Sequence, residues 1–280
     1  MRICQTIGDM RAASRVARRE GHRLGFVPTM GALHEGHLSL VRAAKARCDV
    51  VAVSLFVNPL QFGPNEDLAK YPRTFEPDRE LLEKEAVDIL FAPTPEEMYP
   101  AGAVTYVTVE GLSEKLCGQS RPGHFRGVTT VVAKLFHIVE PDLAFFGQKD
   151  AAQATIIRRM VQDLNLPVEI VVCPIVREPD GLAMSSRNSY LSPQERKAAL
   201  VLHRALTEVK SRFDQGERSA IELIAVGKQV LAQEPAVRLD YFEIVDPATL
   251  DLIQQFTGGA LVAVAAFVGN TRLIDNILLP

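Results

Sequence analysis

Leu24-Gly-Phe-Val27-Pro-Thr-Met-Gly-Ala-Leu-His34-Glu-Gly-His37 is the stretch on which the architecture turns. A short apolar run of strand length enters a proline- and glycine-containing turn. Residues 37–47 beyond it are apolar at intervals of three and four, the period of a half-buried helix. Strand, turn and helix in that order open a βαβ unit. The same alternation recurs outward along the chain, with strand-length apolar runs at 50–57, 88–92, 143–146 and 168–176 separated by helical-period segments at 77–86, 127–139 and 150–165. That order predicts an α/β fold whose doubly wound parallel (Rossmann-like) sheet occupies residues 1–176. Ligands of such sheets bind beyond the C-terminal strand ends, which directs attention to the loop after each strand.

Past residue 176 the pattern changes. Residues 177–188 are polar and carry an Asp180-Gly181 turn, and Ser192-Pro-Gln-Glu195 then supplies an N-cap hydroxyl, an N1 proline and a capping-box acid. Helices are expected over 194–213 and 219–232, and strands over 237–245, 260–268 and 271–279, the last two joined at Gly269-Asn270. A second, smaller α+β domain is therefore expected over 177–280. The apolar run 260–268 is about half the length of a membrane-spanning helix and reads as a buried strand. Residues 11–19 are Arg-rich, but they lack an apolar stretch and are bracketed by Asp9 and Glu20, the pattern of a surface helix rather than a transit peptide.

Composition narrows the function. A chain of 280 residues that is 47% apolar and 23% charged has the makeup of a globular protein with a sizeable core, which excludes disorder. Its 31 Lys and Arg against 34 Asp and Glu give a net charge of −3, so there is no global positive field to hold nucleic acid. Cys4, Cys48, Cys117 and Cys173 form no C-x-x-C pair, and reduced thiols of a cytoplasmic protein are expected.

The residues themselves leave alternatives open. His34 and His37 stand three apart at a helix start, where free amides and the helix dipole favour an anion, and Gly36 allows close backbone approach. They read as a surface pair, as half of a zinc site, or as two imidazoles of ordinary pKa turning cationic beside a phosphate. Zinc needs a further ligand, and His22, His124, His137 and His203 show no suitable spacing. Asp150 reads as an N-cap with Gln153 as its box partner and Lys149 solvated, or all three contact a ligand. Ser185 and Ser186 have no evident structural task, because Ser192 is the better cap for the next helix. With Arg187 they offer two hydroxyls and a fixed cation to phosphate oxygens. Asn58, Gln61 and Met30 read as an Asx turn, a solvated amide and a core filler, or as pocket residues. Glu76 and Asp78 read only as acidic neighbours.

His34-Glu-Gly-His37 resembles the H-x-G-H signature of nucleotidyltransferases related to the class I aminoacyl-tRNA synthetases. Phe26-Val-Pro-Thr-Met-Gly-Ala-Leu-His-Glu-Gly-His-Leu-Ser-Leu40 is similar to the pantothenate synthetase family in particular. The similarity continues through Asn58-Pro-Leu-Gln61-Phe-Gly-Pro-Asn-Glu-Asp67, Tyr71-Pro-Arg-Thr74, Arg121-Pro-Gly-His-Phe-Arg-Gly-Val128, Phe145-Phe-Gly-Gln-Lys149-Asp150 and Asp180-Gly-Leu-Ala-Met-Ser-Ser-Arg-Asn188, covering most of residues 1–190. Met184-Ser-Ser-Arg187 looks like the counterpart of the synthetase K-M-S-K-S loop. Ala183 before it and Arg187 in place of a lysine point away from a tRNA ligase.

The resemblance implies ATP-dependent condensation of pantoate with β-alanine to pantothenate through a pantoyl adenylate, releasing pyrophosphate and AMP. It implies catalytic roles for His34, His37, Lys149, Ser186 and Arg187. ATP is expected on these and on Pro28, Met30, Gly147, Asp150, Val176, Met184 and Ser185. Pantoate is expected on Met30, Asn58, Gln61 and Gln153, with Tyr71 and Arg121 as further substrate-site candidates. Mg²⁺ bridging phosphate oxygens, a homodimer through the larger domain and a smaller domain acting as a lid, with 177–190 as its moving part, belong to the same expectation, as does the absence of nucleic-acid and membrane partners. Two other readings stay open: a transferase of the same superfamily with a different acceptor, and a nucleotide-sensing module without turnover.

Overall fold

The computed structural model describes residues 1–64, 66–256 and 258–280; Asn65, within one motif quoted above, lies outside the described residues. Six strands, β1 (Arg2–Cys4), β2 (Leu24–Thr29), β3 (Val50–Leu55), β4 (Ile89–Phe91), β5 (Leu143–Gly147) and β6 (Glu169–Cys173), form one sheet in the order β1-β4-β3-β2-β5-β6. All five pairings are parallel. Helices α1 (Ile7–Arg19), α2 (Glu35–Lys45), α3 (Phe75–Lys84), α4 (Pro95–Met98), α5 (Cys117–Ser120), α6 (His124–Val139) and α7 (Ala151–Asp163) connect them.

The strand sequences show why both faces must be covered. Successive residues of a strand point to opposite sides. Phe26, Ala52, Phe91 and Phe146 join a core with Met10 of α1, Val132 of α6 and Ile156 of α7. Val27, Val53, Leu90 and Phe145 face the other way, into a core with Val41 of α2 and Leu82 of α3. Alternate residues are apolar on both faces, so the strands read as unbroken hydrophobic runs, as buried parallel strands do. From β2 the chain winds outward through β3 to β4, and from β5 to β6 on the other side. The β2–β5 boundary is thus the topological switch point where such folds bind ligands.

β7 (Val237–Val245), β8 (Ala260–Val268) and β9 (Thr271–Leu279) form a second, antiparallel sheet, preceded by α8 (Pro193–Asp214) and α9 (Ala220–Leu231). Leu202 and Leu206 of α8 and Leu223 of α9 pack with Phe242, Ile244, Val262 and Val264. Val245, Leu261 and Ala263 instead share the core of Phe125 and Ile156 in the larger unit. β8 is apolar throughout because it is covered on both sides, and no helix among the described residues is long and apolar enough to cross a membrane.

The expected strand bounds of this smaller sheet coincide with those observed, as does the Ser192 capping box. The Arg-rich stretch lies on α1, which buries Met10, Ala13, Ser14 and Ala17. Other expectations shift. The helix after β2 begins at Glu35 rather than 37, and strand 168–176 ends at Cys173, ahead of Pro174. β1, α4 and α5 had no sequence signal, being three or four residues long.

Candidate active site

β2 delivers its loop to the switch point, and there His34 caps α2. Its Nδ1 accepts the Gly36 N–H at 3.1 Å, while His37 Nδ1 accepts the His34 N–H at 3.3 Å. The two rings lie 4.1 Å apart, centroid to centroid. A Cβ on residue 36 would stand 2.9 Å from the His34 ring, so glycine at this position lets the cap close. Because both Nδ1 atoms accept, each neutral ring carries its proton on Nε2, as a fixed donor.

The pKa directions correct one expectation. Burial, reinforced by Lys149, pushes His34 down to about 4; burial, His34 and Lys149 push His37 down to about 3. The free protein therefore presents neutral imidazoles at neutral pH, whose pKa values lie well below the ordinary ones from which a cationic pair beside a phosphate is read.

A residue dismissed in the sequence holds this turn. Asp78 of α3 is 2% exposed. Its Oδ2 accepts the Ala32 N–H at 2.9 Å and the Thr74 hydroxyl at 3.1 Å, and its Oδ1 accepts the Leu33 N–H at 2.8 Å. No local signal marks it, since its partners on the turn are 45 and 46 residues away.

After β3, Asn58 is buried with its amide committed. Nδ2 donates to Gln61 Oε1 at 3.0 Å and to the Gly127 carbonyl at 3.1 Å, and Oδ1 accepts from the Tyr99 hydroxyl at 2.8 Å. It therefore orients Gln61, whose Nε2 faces Met30 Sδ at 3.2 Å. Gly127 is required here because a Cβ would fall 2.3 Å from the Leu60 carbonyl oxygen.

After β5, residues 148–150 make a 3-10 turn into α7, and Asp150 makes no side-chain capping bond. The proposed Asp150–Gln153 box is therefore absent, and both side chains line the cavity with Lys149. Lys149 Nζ stands 3.8 Å from Asp150 Oδ2 and is not tightly paired.

The two serines do have structural tasks, contrary to expectation. Ser185 Oγ accepts the Arg187 N–H at 3.3 Å, capping the 3-10 turn Ser186–Tyr190. Ser186 Oγ donates to the Ala32 carbonyl at 3.0 Å, tying this loop to the β2 turn. Arg187 forms a bidentate pair with Asp67, at 2.8 and 2.9 Å. Burial opposes ionisation of Asp67, but the Arg187 contact outweighs it and holds the carboxyl below its usual range.

Arg121 is likewise paired with Glu66, its Nε donating at 2.9 Å. It also meets His124, a residue the sequence did not single out. His124 Nδ1 lies 2.9 Å from the Gln61 carbonyl, and burial followed by the Arg121 charge lowers its pKa to about 4.

All the site residues anticipated from sequence line a single cavity of ≈ 220 Å³ over the β2–β5 boundary, Tyr71 and Arg121 included. It adjoins a larger cleft of ≈ 1410 Å³ between the two sheets; Lys149, Asp150, Gln153, Ser185 and Arg187 line both. Among the described residues no three His, Cys, Asp or Glu side chains gather to hold a metal ion. The arrangement offers fixed imidazole donors, an ammonium and hydroxyls on one side and an amide pocket on the other, as a polyanion beside a small hydroxy acid would require.

Comparison with known proteins agrees in scope with this geometry. A family model described as pantoate-beta-alanine ligase matches residues 2–278. The pantothenate synthetase of Koribacter versatilis (strain Ellin345) is 61% identical over 279 residues, 100% of this chain and 96% of that one. The crystal structure of pantothenate synthetase from Thermus thermophilus superposes with a TM-score of 0.94 at 50% identity, covering 99% of each chain. That of a pantoate-beta-alanine ligase from Francisella tularensis, complexed with β-γ ATP and β-alanine, does so at 0.81 and 34%, covering 99% of this chain and 97% of that one.

Proposed function

The chain belongs to the pantoate-beta-alanine ligase family, and from that premise we propose that its cavity activates pantoate as a pantoyl adenylate before joining it to β-alanine. It is a carbon–nitrogen ligase that forms pantothenate and takes ATP as a substrate. In the proposed first step a pantoate carboxylate oxygen attacks the α-phosphorus, the bond from that phosphorus to the bridging oxygen breaks, and pyrophosphate leaves. In the second, the neutral amine of β-alanine attacks the activated acyl carbon and AMP leaves.

The observation that carries this reading is the convergence of His34, His37, Lys149 and the Ser185-Ser186-Arg187 loop on one cavity beside the Gln61 pocket. The Nε2–H donors, the Lys149 ammonium, Ser186 and Arg187 face the triphosphate. The imidazoles are fixed before the substrate arrives and stabilise charge growing on the leaving pyrophosphate with little reorganisation, whereas Arg187 first gives up Asp67 and the Ser186 hydroxyl first leaves the Ala32 carbonyl. Asp150 faces the ribose, while Pro28, Gly147, Val176, Met184 and Ser185 line the nucleotide. Pantoate sits against Met30, Gln61 and Gln153, with Asn58 acting chiefly by holding Gln61 and with Tyr71 and Arg121 at the rim. Mg²⁺ entering with ATP would neutralise phosphate charge alongside Lys149 and Arg187. Residues 1–176 supply most contacts to both substrates, and 177–280, which bring Met184, Ser185, Ser186 and Arg187, close over them as a lid, which keeps water from the mixed anhydride. Four free cysteines fit work in the cytoplasm, and family membership underlies pairing of two copies through the larger unit.

Exchange of labelled pyrophosphate into ATP, with pantoate and without β-alanine, tests the reading. The protein should catalyse it, and Lys149→Ala should slow it by about 10²–10³-fold. Exchange that ignores pantoate, or that is unchanged in the variant, would overturn the assignment.

A further inference from the structure

Two buried polar residues sit side by side on β9, at the edge of the smaller sheet: Asp275 and Asn276, each 3% exposed. Consecutive strand residues point to opposite faces, and each of these reaches a different part of the cavity wall. Asn276 turns toward the larger unit, and its Nδ2 donates to the Gln148 carbonyl at 3.0 Å and to the Lys149 carbonyl at 2.9 Å. Its Oδ1 accepts from Gln148 Nε2 at 2.9 Å. Asp275 turns the other way and binds Arg177 through both guanidinium nitrogens, at 2.6 and 2.9 Å, at the root of the loop that carries Ser185, Ser186 and Arg187. Opposite Asn276 on β8 stands Ala263, which leaves room for the amide.

We propose that Asn276 is a positioning residue for the adenylate-forming step, holding the 148–150 turn so that the Lys149 ammonium meets the phosphates. This rests on the phosphate-facing role of Lys149 given above. Both Nδ2 protons and Oδ1 are engaged with the turn, and three hydrogen bonds to two consecutive residues leave it no rotational freedom. The turn has no side-chain cap of its own, so this grip from the smaller unit is what fixes the lysine's backbone. Closure of the smaller unit and placement of Lys149 are thereby one event, because the residue making the contact rides on β9. A displacement of about 1 Å in a catalytic group can cost on the order of 10²-fold in rate.

The experiment compares Asn276→Ala and Asn276→Asp with Lys149→Ala in pantoate-dependent pyrophosphate exchange, with KM measured for ATP and pantoate separately and thermal midpoints recorded. Asn276→Asp keeps the acceptor for Gln148 and loses both donations to the carbonyls. Both Asn276 variants should lower kcat by about 10- to 100-fold and raise KM for ATP, leaving KM for pantoate within about 2-fold. Added to Lys149→Ala, Asn276→Ala should cost less than about 3-fold more, because both act through one group. If Lys149→Ala is silent, the parent reading fails. If Lys149→Ala is crippled while Asn276→Asp exchanges within about 2-fold of the unmodified protein, the Asn276 proposal fails alone. Parallel changes in both KM values that follow the thermal midpoint would also overturn it, by showing a merely structural role.

Discussion

The two walls of the cavity are built on opposite principles. The β2 wall presents neutral imidazoles whose ring nitrogens are tied to their own backbone, and the turn beneath them is anchored by the buried carboxylate of Asp78. On the facing wall, Arg187 and Arg121 are already neutralised by Asp67 and Glu66, adjacent residues of one loop. The first wall is ready before substrate arrives. In the proposed reaction the second would exchange an acidic partner for a substrate anion, so its strength would depend on what it gives up. Preorganisation and partner exchange are thus divided between elements rather than blended in each.

The largest expected blow to this contrast is Asp78→Ala, which strips the β2 turn of two backbone acceptors and a hydroxyl contact. It should destabilise the protein by about 3 kcal/mol, from the cost of buried donors left unpaired by loss of a charged acceptor. The midpoint of urea denaturation reads it, and Asp78→Asn should recover part of the loss.

Acid sharpens the contrast next. The folded pKa of His37, about 3, lies below its ordinary unfolded value of 6.5. The unfolded chain therefore binds the extra proton first, and stability is lost as pH falls below 6.5 until the folded value is reached. At pH 5 this amounts to about 2 kcal/mol for His37. His37→Gln should show that much less acid sensitivity in denaturation curves taken at pH 7 and pH 5. Equal sensitivity would mean that the imidazole is not held neutral.

The smallest effect belongs to the paired wall. Asp67→Asn releases Arg187 from its competing anion and should lower KM for ATP by about 3-fold, since a partly exposed ion pair is worth on the order of 1 kcal/mol or less. A rise in KM would show that the pair orients the guanidinium instead of restraining it.

The sequence revealed the sheets more fully than the state of the site. Apolar alternation and glycine turns are local, and they placed β7, β8 and β9 to the residue and the β2–α2 junction to within two. The motif residues were legible as a set through the family resemblance; most lie just beyond a strand or in the polar loop of residues 177–190, while Tyr71, Arg121 and Gln153 do not. What stayed hidden depends on distant partners. Asp78 looks like any acid of a helix's first turn until the β2 turn folds onto it. Arg121 and Arg187 look like free cations until residues 66–67 arrive, and Ser185 is a cap for a turn too short to leave a pattern. Local sequence also could not give the protonation of His34 and His37, which follows from burial and from Lys149, more than a hundred residues further along.

The shared core between the units sets how the cleft can open. Val245, Leu261 and Ala263 are packed with Phe125 and Ile156, and prising them apart would wet that apolar surface at about 25 cal/mol for every Å² exposed. A swing that rolls about this greasy contact, as a door turns on its post, leaves it dry while the far rim travels. The lid motion proposed for the smaller unit would therefore favour rolling about this contact over lifting away from it.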